Sequence, residues 1–467
     1  MTHHPFRIAV VLFLVAVAAG RADSVGKANL VDSVGKTDLV GADDSAGKAS
    51  LVAAGQDRMA LKEAVDLVLK TNQQIQIAAE SVIGAEYKIS ESKSLYWPQV
   101  SVVGNYTRMS LFGEFSIPFN GQLMTIKFGT PNNYNMRASV MEQVFNWGRT
   151  ARTIEMSKAG LDLAQDGVLL TKHMLGYQIV PLFYGTVFFK EAIKVLDDNL
   201  KAFELKLAST KQRYDVGLAS SFDVNLLQVQ ISAVRGQKVD FENNIAKFRI
   251  TFNALTGRDE KTPFEPDAEL VLKSAAFDKE ALLKESLAGR IEFQQIAHQA
   301  DLGRASLGLA RTGDKPTLSA VFNYEFRNGF MPDIDKIRGN WTAALSVTYP
   351  AFDGKRTAAQ VAQAESGLKA VDFRRTDLER NVTAEIETLL SDLATTEQKL
   401  DIEKVKIKQV EDTLRIADER YRNGLLSATD LVDAQNALEG AKLNALQLTY
   451  NHILSEFSLF RACGRKI

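Results

Sequence analysis

The stretch Arg420-Tyr-Arg-Asn-Gly-Leu-Leu-Ser-Ala-Thr-Asp-Leu-Val-Asp-Ala434 decides how this chain is read. It has a twin 207 positions earlier, Arg213-Tyr-Asp-Val-Gly-Leu-Ala-Ser-Ser-Phe-Asp-Val-Asn-Leu-Leu227. Each reads as a helix that stops at a glycine, turns, and restarts on a Ser-, Thr- and Asp-rich segment. Gly217 and Gly424 suit the left-handed position after a helix C-terminus, where a side chain is disfavoured. Ser220, Ser221, Ser427 and Thr429 are candidate N-caps for the returning helices.

Working outward, heptads flank both turns. Leu400, Ile407, Leu414 and Tyr421 fall seven apart, as do Ile193, Leu200, Leu207 and Tyr214. Val410 and Ala417, and Leu196 and Phe203, fill the complementary slots. After the turns, Leu431, Ala434, Leu438, Ala441, Ala445 and Leu448 alternate by three and four. Val224, Leu227, Ile231, Val234 and Phe241 do the same, broken by Lys238. That spacing keeps one apolar seam facing a neighbour as helices supercoil. The expectation is a duplicated coiled-coil hairpin, spanning 147–256 and 354–463.

Ahead of each hairpin the period changes from heptad to two. In Pro98-Gln-Val-Ser-Val-Val-Gly-Asn-Tyr-Thr107, Val100, Val102, Gly104 and Tyr106 oppose Gln99, Ser101, Asn105 and Thr107. Pro316 to Glu325 repeats the alternation at an offset of 218, and Asn133–Phe145 matches Asn340–Phe352 at 207. These spacings predict half-apolar strands over 98–110, 133–145, 316–327 and 340–352. The offset changes because a loop over 111–132 is longer than its counterpart near 329–339. Strands of this length suit a tilted crossing of a bilayer. Four cannot close, and open edges are not tolerated in lipid, so other copies of the chain must complete the wall. A soluble β-sandwich fits poorly, because over 150 helical residues separate the strand pairs. Trp97, Trp147 and Trp341 lie at strand ends, where an interfacial aromatic girdle belongs.

Each second strand leads into a helix of roughly 100 Å at 1.5 Å per residue. The returning helices reach only about half that, and helices over 72–96 and 286–312 are expected to make up the rest end to end. Pro181 should bend the first long helix. The organisation expected is a first repeat over 58–257, a linker or belt over 258–285, and a second repeat over 286–464.

Composition narrows the function classes. The chain has 467 residues with a net charge of -1, which gives no electrostatic reason to expect nucleic acid. Five histidines and one cysteine offer no metal-ligand cluster and no disulfide framework. Cys463 aligns with Thr256 and reads as a small residue near a helix end. Residues 1–22 have the charged start, apolar core and small-residue cleavage site of a secretory signal. No cysteine follows it, so a lipid-modified N-terminus is not expected, and no later window suggests a spanning helix. Residues 23–57 contain a repeated Asp-Ser-Val/Ala-Gly-Lys unit and read as a flexible leader. Its Gly-Lys pairs fail the phosphate-loop spacing, and Ala49 replaces the hydroxyl residue needed there.

The signal, the strand pairs ending in Phe-x-x-x-Arg (Phe145–Arg149, Phe352–Arg356), the heptad helices and the Tyr-x-x-Gly-Leu turns together resemble the TolC family of outer-membrane efflux and type I secretion ducts. The resemblance covers about residues 58–464. It implies a homotrimer: a 12-stranded outer-membrane β-barrel over an α-barrel in the periplasm. It also implies docking to a periplasmic adaptor bound to an inner-membrane transporter. The family's adaptor contact maps onto Tyr214, Gly217, Leu218, Tyr421, Gly424 and Leu425. Its pore constriction maps onto Asp430 and Asp433, three apart on one helix face. Asp223 and Tyr421 match its lock between hairpins. Leu426 and Phe222 stand where some members have arginine and threonine, which shifts the lock from salt bridges toward packing.

The function expected is a passive exit duct with no cofactor, metal or catalytic cluster. Cargo could be a drug, a metal ion, a metabolite or an unfolded polypeptide, as in type I secretion. A coiled-coil envelope spacer explains the heptads but not the strands between them.

Overall fold

The computed structural model describes residues 58–110, 113–272, 277–331 and 333–467. The expected signal and leader lie outside them. In chain order the elements are α1 (Leu61–Thr71), α2 (Gln73–Ser94), β1 (Gln99–Arg108), β2 (Glu114–Phe119), β3 (Gln122–Lys127), β4 (Asn132–Phe145), α3 (Arg149–Asp215) and α4 (Ser221–Thr256). Then come α5 (Lys279–Gly289), α6 (Ile291–Ala310), β5 (Thr317–Arg327), β6 (Arg338–Thr348), α7 (Arg356–Arg422) and α8 (Ala428–Ala462).

Three stretches differ from the sequence expectation. The 111–132 segment carries the extra hairpin β2–β3, paired from Glu114↔Lys127 to Phe119↔Gln122. The end of the expected linker is helical, because α5 begins at Lys279 under an Asp278 cap whose side chain accepts from the Glu280 N–H. α5 lies 218 positions after α1, so the second half restarts earlier in the chain than its periodicity suggested. The last strand is also shorter than expected and ends at Thr348, ahead of Pro350. α1 and α2 are separated by the single residue Asn72. There the Asn72 side chain accepts from the Gln74 N–H at 2.8 Å and donates to the Leu255 carbonyl at 2.8 Å, capping α2 and tying it to α4. α3 runs helical through Pro181.

The long strands form one antiparallel sheet in the order β1-β4-β5-β6. Cross-strand pairs share a face, and the register sorts most side chains by polarity, although Glu142 pairs with Ala320 on the apolar side. One face carries Val102, Ala138, Tyr324 and Trp341 in a row, with Val100, Val140, Phe322 and Ala343 as the next row. The other carries Asn105, Asn135 and Arg327, and beside them Val103, Arg137, Glu325 and Asn340. The apolar face is exposed, with Val100 at 70% and Leu345 at 75%. None of the described residues covers it. Trp97 and Trp147 flank the helical end of the sheet; Trp341 sits four residues into β6 instead of at its edge. Among the described residues no strand pairs with the free sides of β1 and β6.

The helices bury their seams as the heptads require. Leu196, Phe203, Leu227, Ile231 and Val234 of α3 and α4 form one core, which Val432 of α8 joins. Fully burying one such side chain is worth about 1.5–3 kcal/mol. Two further cores repeat one another near the middle of the helices. Ala64, Leu175, Ile179 and Phe252 in the first have Leu282, Val382, Ile386 and Leu459 as counterparts in the second. The first is closed by the 258–272 strap, where Phe264 stacks on Phe252 at 4.0 Å and Met59 bonds the backbone of Glu265 and Asp267. The C-terminal residues close the second. Ser286 donates to the Ala462 carbonyl, and Arg465 grips Glu285 through two bonds of 2.7 and 2.8 Å. The Arg465 carbonyl in turn accepts from Tyr177, whose hydroxyl burial pushes up to about 12.

Candidate functional site at the hairpin tips

Both tips are built the same way. At the first, the Leu218 N–H reaches the Arg213 carbonyl at 2.7 Å and the Gly217 N–H reaches Tyr214 at 2.9 Å. At the second, Leu425 reaches Arg420 at 2.9 Å and Gly424 reaches Tyr421 at 3.0 Å. This is a Schellman ending, which needs a left-handed residue; Gly217 and Gly424 have φ of 77° and 73°. The next residue is thrown outward, and Leu218 and Leu425 stand 70% and 75% exposed. Isolated exposed leucines are ordinary, but these recur at matching turns with Val216 and Phe222 also in the open.

The returning helices start on matching caps. Ser220 Oγ accepts from the Asp223 N–H, while Asp223 Oδ2 accepts from the Ser220 N–H and hydroxyl at 3.0 and 2.9 Å. Ser427 and Asp430 repeat the side-chain half of it: Ser427 Oγ accepts from the Asp430 N–H and donates to Asp430 Oδ2 at 2.7 Å. Asp223 and Asp430 thus occupy matching first-turn positions, where a helix dipole favours an acid, and Asp223 also completes a capping box. Asp433 lies one turn on and is exposed, its carboxylate free of hydrogen bonds and ion pairs.

The twin tyrosines part company. Tyr214 is 48% exposed, whereas Tyr421 is buried against α3. Its hydroxyl shares a 2.9 Å hydrogen bond with Thr210 Oγ1, which is fully buried. Arg213 donates to the Tyr421 carbonyl at 2.8 Å and lays its guanidinium over the ring at 5.1 Å. The structure therefore brings Tyr421 to Thr210 and Arg213, while Asp223 is engaged by its own cap. Leu426 and Leu226 pack into the core around Tyr421 and Leu431.

Below this joint lies a groove of about 650 Å³ between α3 and α7–α8, bordered by Leu205, Lys206, Arg415, Asp418 and Gln435. Lys206 donates to Gln435 Oε1 at 2.8 Å; burial pushes its pKa down, against the pull of Asp418. Further along the same pair of helices, Asn199 bonds Glu439. Thr210, Arg213, Lys206 and Gln435 were not singled out by sequence reasoning. The one available signal was the recurrence of Arg213 as Arg420 in the twin turns. What Arg213 touches depends on how α3 meets α7, which no local pattern encodes.

Among the described residues no group of His, Cys, Asp and Glu is arranged to hold a metal ion, and no helix is long and apolar enough to cross a membrane. The profile of the family described as outer membrane efflux protein matches residues 64–258 and 282–465. The chain is 21% identical over 418 residues to the probable efflux pump outer membrane protein TtgC of Pseudomonas putida, covering 87% of this chain and 83% of that protein. It is 22% identical over 417 residues to the outer membrane protein TolC of Escherichia coli, covering 84% and 80%. The crystal structure of the Campylobacter jejuni CmeC outer membrane channel superposes with a TM-score of 0.71 at 17% identity, over 86% of this chain and 85% of that one. CusC superposes at 0.72 and 16% identity, over 87% and 92%. With the family's profile matched over most of its length, across both duplicated halves, the chain belongs to the outer membrane efflux protein family.

Proposed function

We propose that the protein is the outer-membrane exit duct of a tripartite efflux system, conducting cargo passively across the periplasm and outer membrane. The observation that carries this reading is the four-stranded sheet, which has one apolar face, one polar face and two unpaired edges. Such a sheet satisfies its backbone in lipid only as part of a closed barrel. Three copies would supply twelve strands. The long helices continue from the sheet and bury seams of heptad spacing, as a helical tunnel below a barrel requires. The family and the names of the relatives favour efflux over protein secretion, and the lipid-ready sheet disfavours an envelope spacer.

In this reading the tips at Tyr214, Gly217, Leu218, Gly424 and Leu425 dock an adaptor bound to an inner-membrane transporter. Asp430 and Asp433 line the constriction, and Tyr421 holds the hairpin closed through Thr210 and Arg213. The energy for transport comes from the partner, since the duct only conducts. The test is a deletion strain together with purified protein. Loss of the gene should raise intracellular accumulation of a pump substrate, and the protein should form steady conductance steps in planar bilayers. Unaltered accumulation together with no conductance would overturn the reading.

A further inference from the structure

The polar face of the sheet is not evenly polar. Along its strands the charged side chains are Arg137, Arg327 and Arg338 against the single acid Glu325. Glu325 is 8% exposed and already committed: Arg137 Nη2 lies 3.1 Å from one carboxylate oxygen, with Arg327 Nε at 3.4 Å and Asn340 Nδ2 at 3.5 Å from the other. One carboxylate therefore neutralises one of two guanidinium groups. Both arginine side chains remain nearly half exposed, at 48% and 47%. Arg338 pairs with Asp333 at 3.1 Å in the turn that precedes β6, where Lys336 also bonds Asp333 and Asp335 adds a negative charge. Even with that turn included, the positive charges outnumber the negative ones.

We propose that Arg137, Arg327 and Arg338 form a positive belt on the inner wall of the barrel, which makes the outer exit favour anionic solutes. The inference rests on the exit-duct reading, because only closure of the sheet turns its polar face into a lumen. Repetition by each chain of the trimer multiplies the surplus around one axis, and low-dielectric walls focus it on solutes passing through. The belt lies on the face opposite Tyr324 and Trp341, so it addresses solutes in the lumen and not lipid headgroups. It also stands at the opposite end of the molecule from Asp430 and Asp433, whose charge is negative. The two ends of the duct thus carry opposite preferences.

The experiment compares wild type with Arg327→Gln/Arg338→Gln in planar bilayers under a KCl gradient. This variant keeps the Arg137–Glu325 pair and the tip acids. The chloride-to-potassium permeability ratio should fall by about twofold, more at low salt where screening is weaker. Inositol hexakisphosphate added on the barrel side should block wild type and not the variant. Arg327→Lys/Arg338→Lys should restore both behaviours, and Glu325→Gln should move selectivity the other way. Conductance with unchanged selectivity and block in every variant would overturn the belt alone. Absence of conductance from wild type would overturn the duct reading and the belt with it.

Discussion

Leu218 and Leu425 hang outside the fold, so replacing them tests contact with a partner without disturbing a core. Leu218→Asp with Leu425→Asp should abolish export while leaving the assembled, membrane-inserted protein unchanged, as resistance assays and native gels would show; normal resistance would remove the docking role. Tyr421 is different, because it is buried and bonded. Tyr421→Phe leaves Thr210 Oγ1 without a partner in a fully buried place, at a cost of about 1–3 kcal/mol. Its conductance should become larger or open more often, and its melting temperature should fall. An unaltered current trace would argue that the Tyr421–Thr210 contact holds nothing shut. These two residues also mark how far the sequence could be read. Gly424 and Leu425 were legible because a left-handed turn leaves a chemical signature in the chain. The burial of Tyr421 and exposure of Tyr214 were not, since a similar local sequence packs its tyrosine against a neighbouring helix in one copy only.

At the scale of elements, the heptads located α3, α4, α7 and α8 closely because a sustained period over many turns leaves few alternatives. The hairpin β2–β3 escaped because Pro118, Gly113 and Gly121 interrupt a short alternation that a loop would also tolerate. α5 escaped because it is only 11 residues long and follows a proline-rich strap. The contact of α3 with α8 yields a pH prediction. Glu439 bonds buried Asn199, and desolvation raises its pKa, a shift the Asn199 amide only partly opposes. A carboxyl raised in this way gives its full stability below its ordinary value near 4.5 and loses it as pH rises through the folded value. Glu439→Gln removes that penalty and offers an amide donor to Asn199 Oδ1, which has no partner. The variant should melt higher than wild type at pH 7 and level with it at pH 4, as a thermal melt in detergent would record. A gain that is the same at both pH values would refute the account.

For the molecule as a whole, the sheet and hairpins make sense only in company. The protein extracted in mild detergent should run as a trimer that heat converts to monomer. A stable, water-soluble single chain would contradict the barrel. Within such a trimer, Asp430 and Asp433 would come together around the axis at the far end from the sheet. Asp430→Ala with Asp433→Ala should raise leakage and weaken block by divalent cations added from the tip side. Unchanged conductance and block would remove these acids from the constriction and leave Asp430 as a helix cap only.

The bare flanks of β1 and β6 have a consequence during biogenesis. Until sister chains arrive, each newly exported protomer offers two strand templates and a greasy panel to anything nearby, including misaligned copies of itself. Correct assembly and precipitation thus compete for the same hydrogen-bonding rows. Periplasmic chaperones that shield those rows should therefore govern how much duct a cell can make, and overexpression should favour insoluble protein before it saturates the membrane.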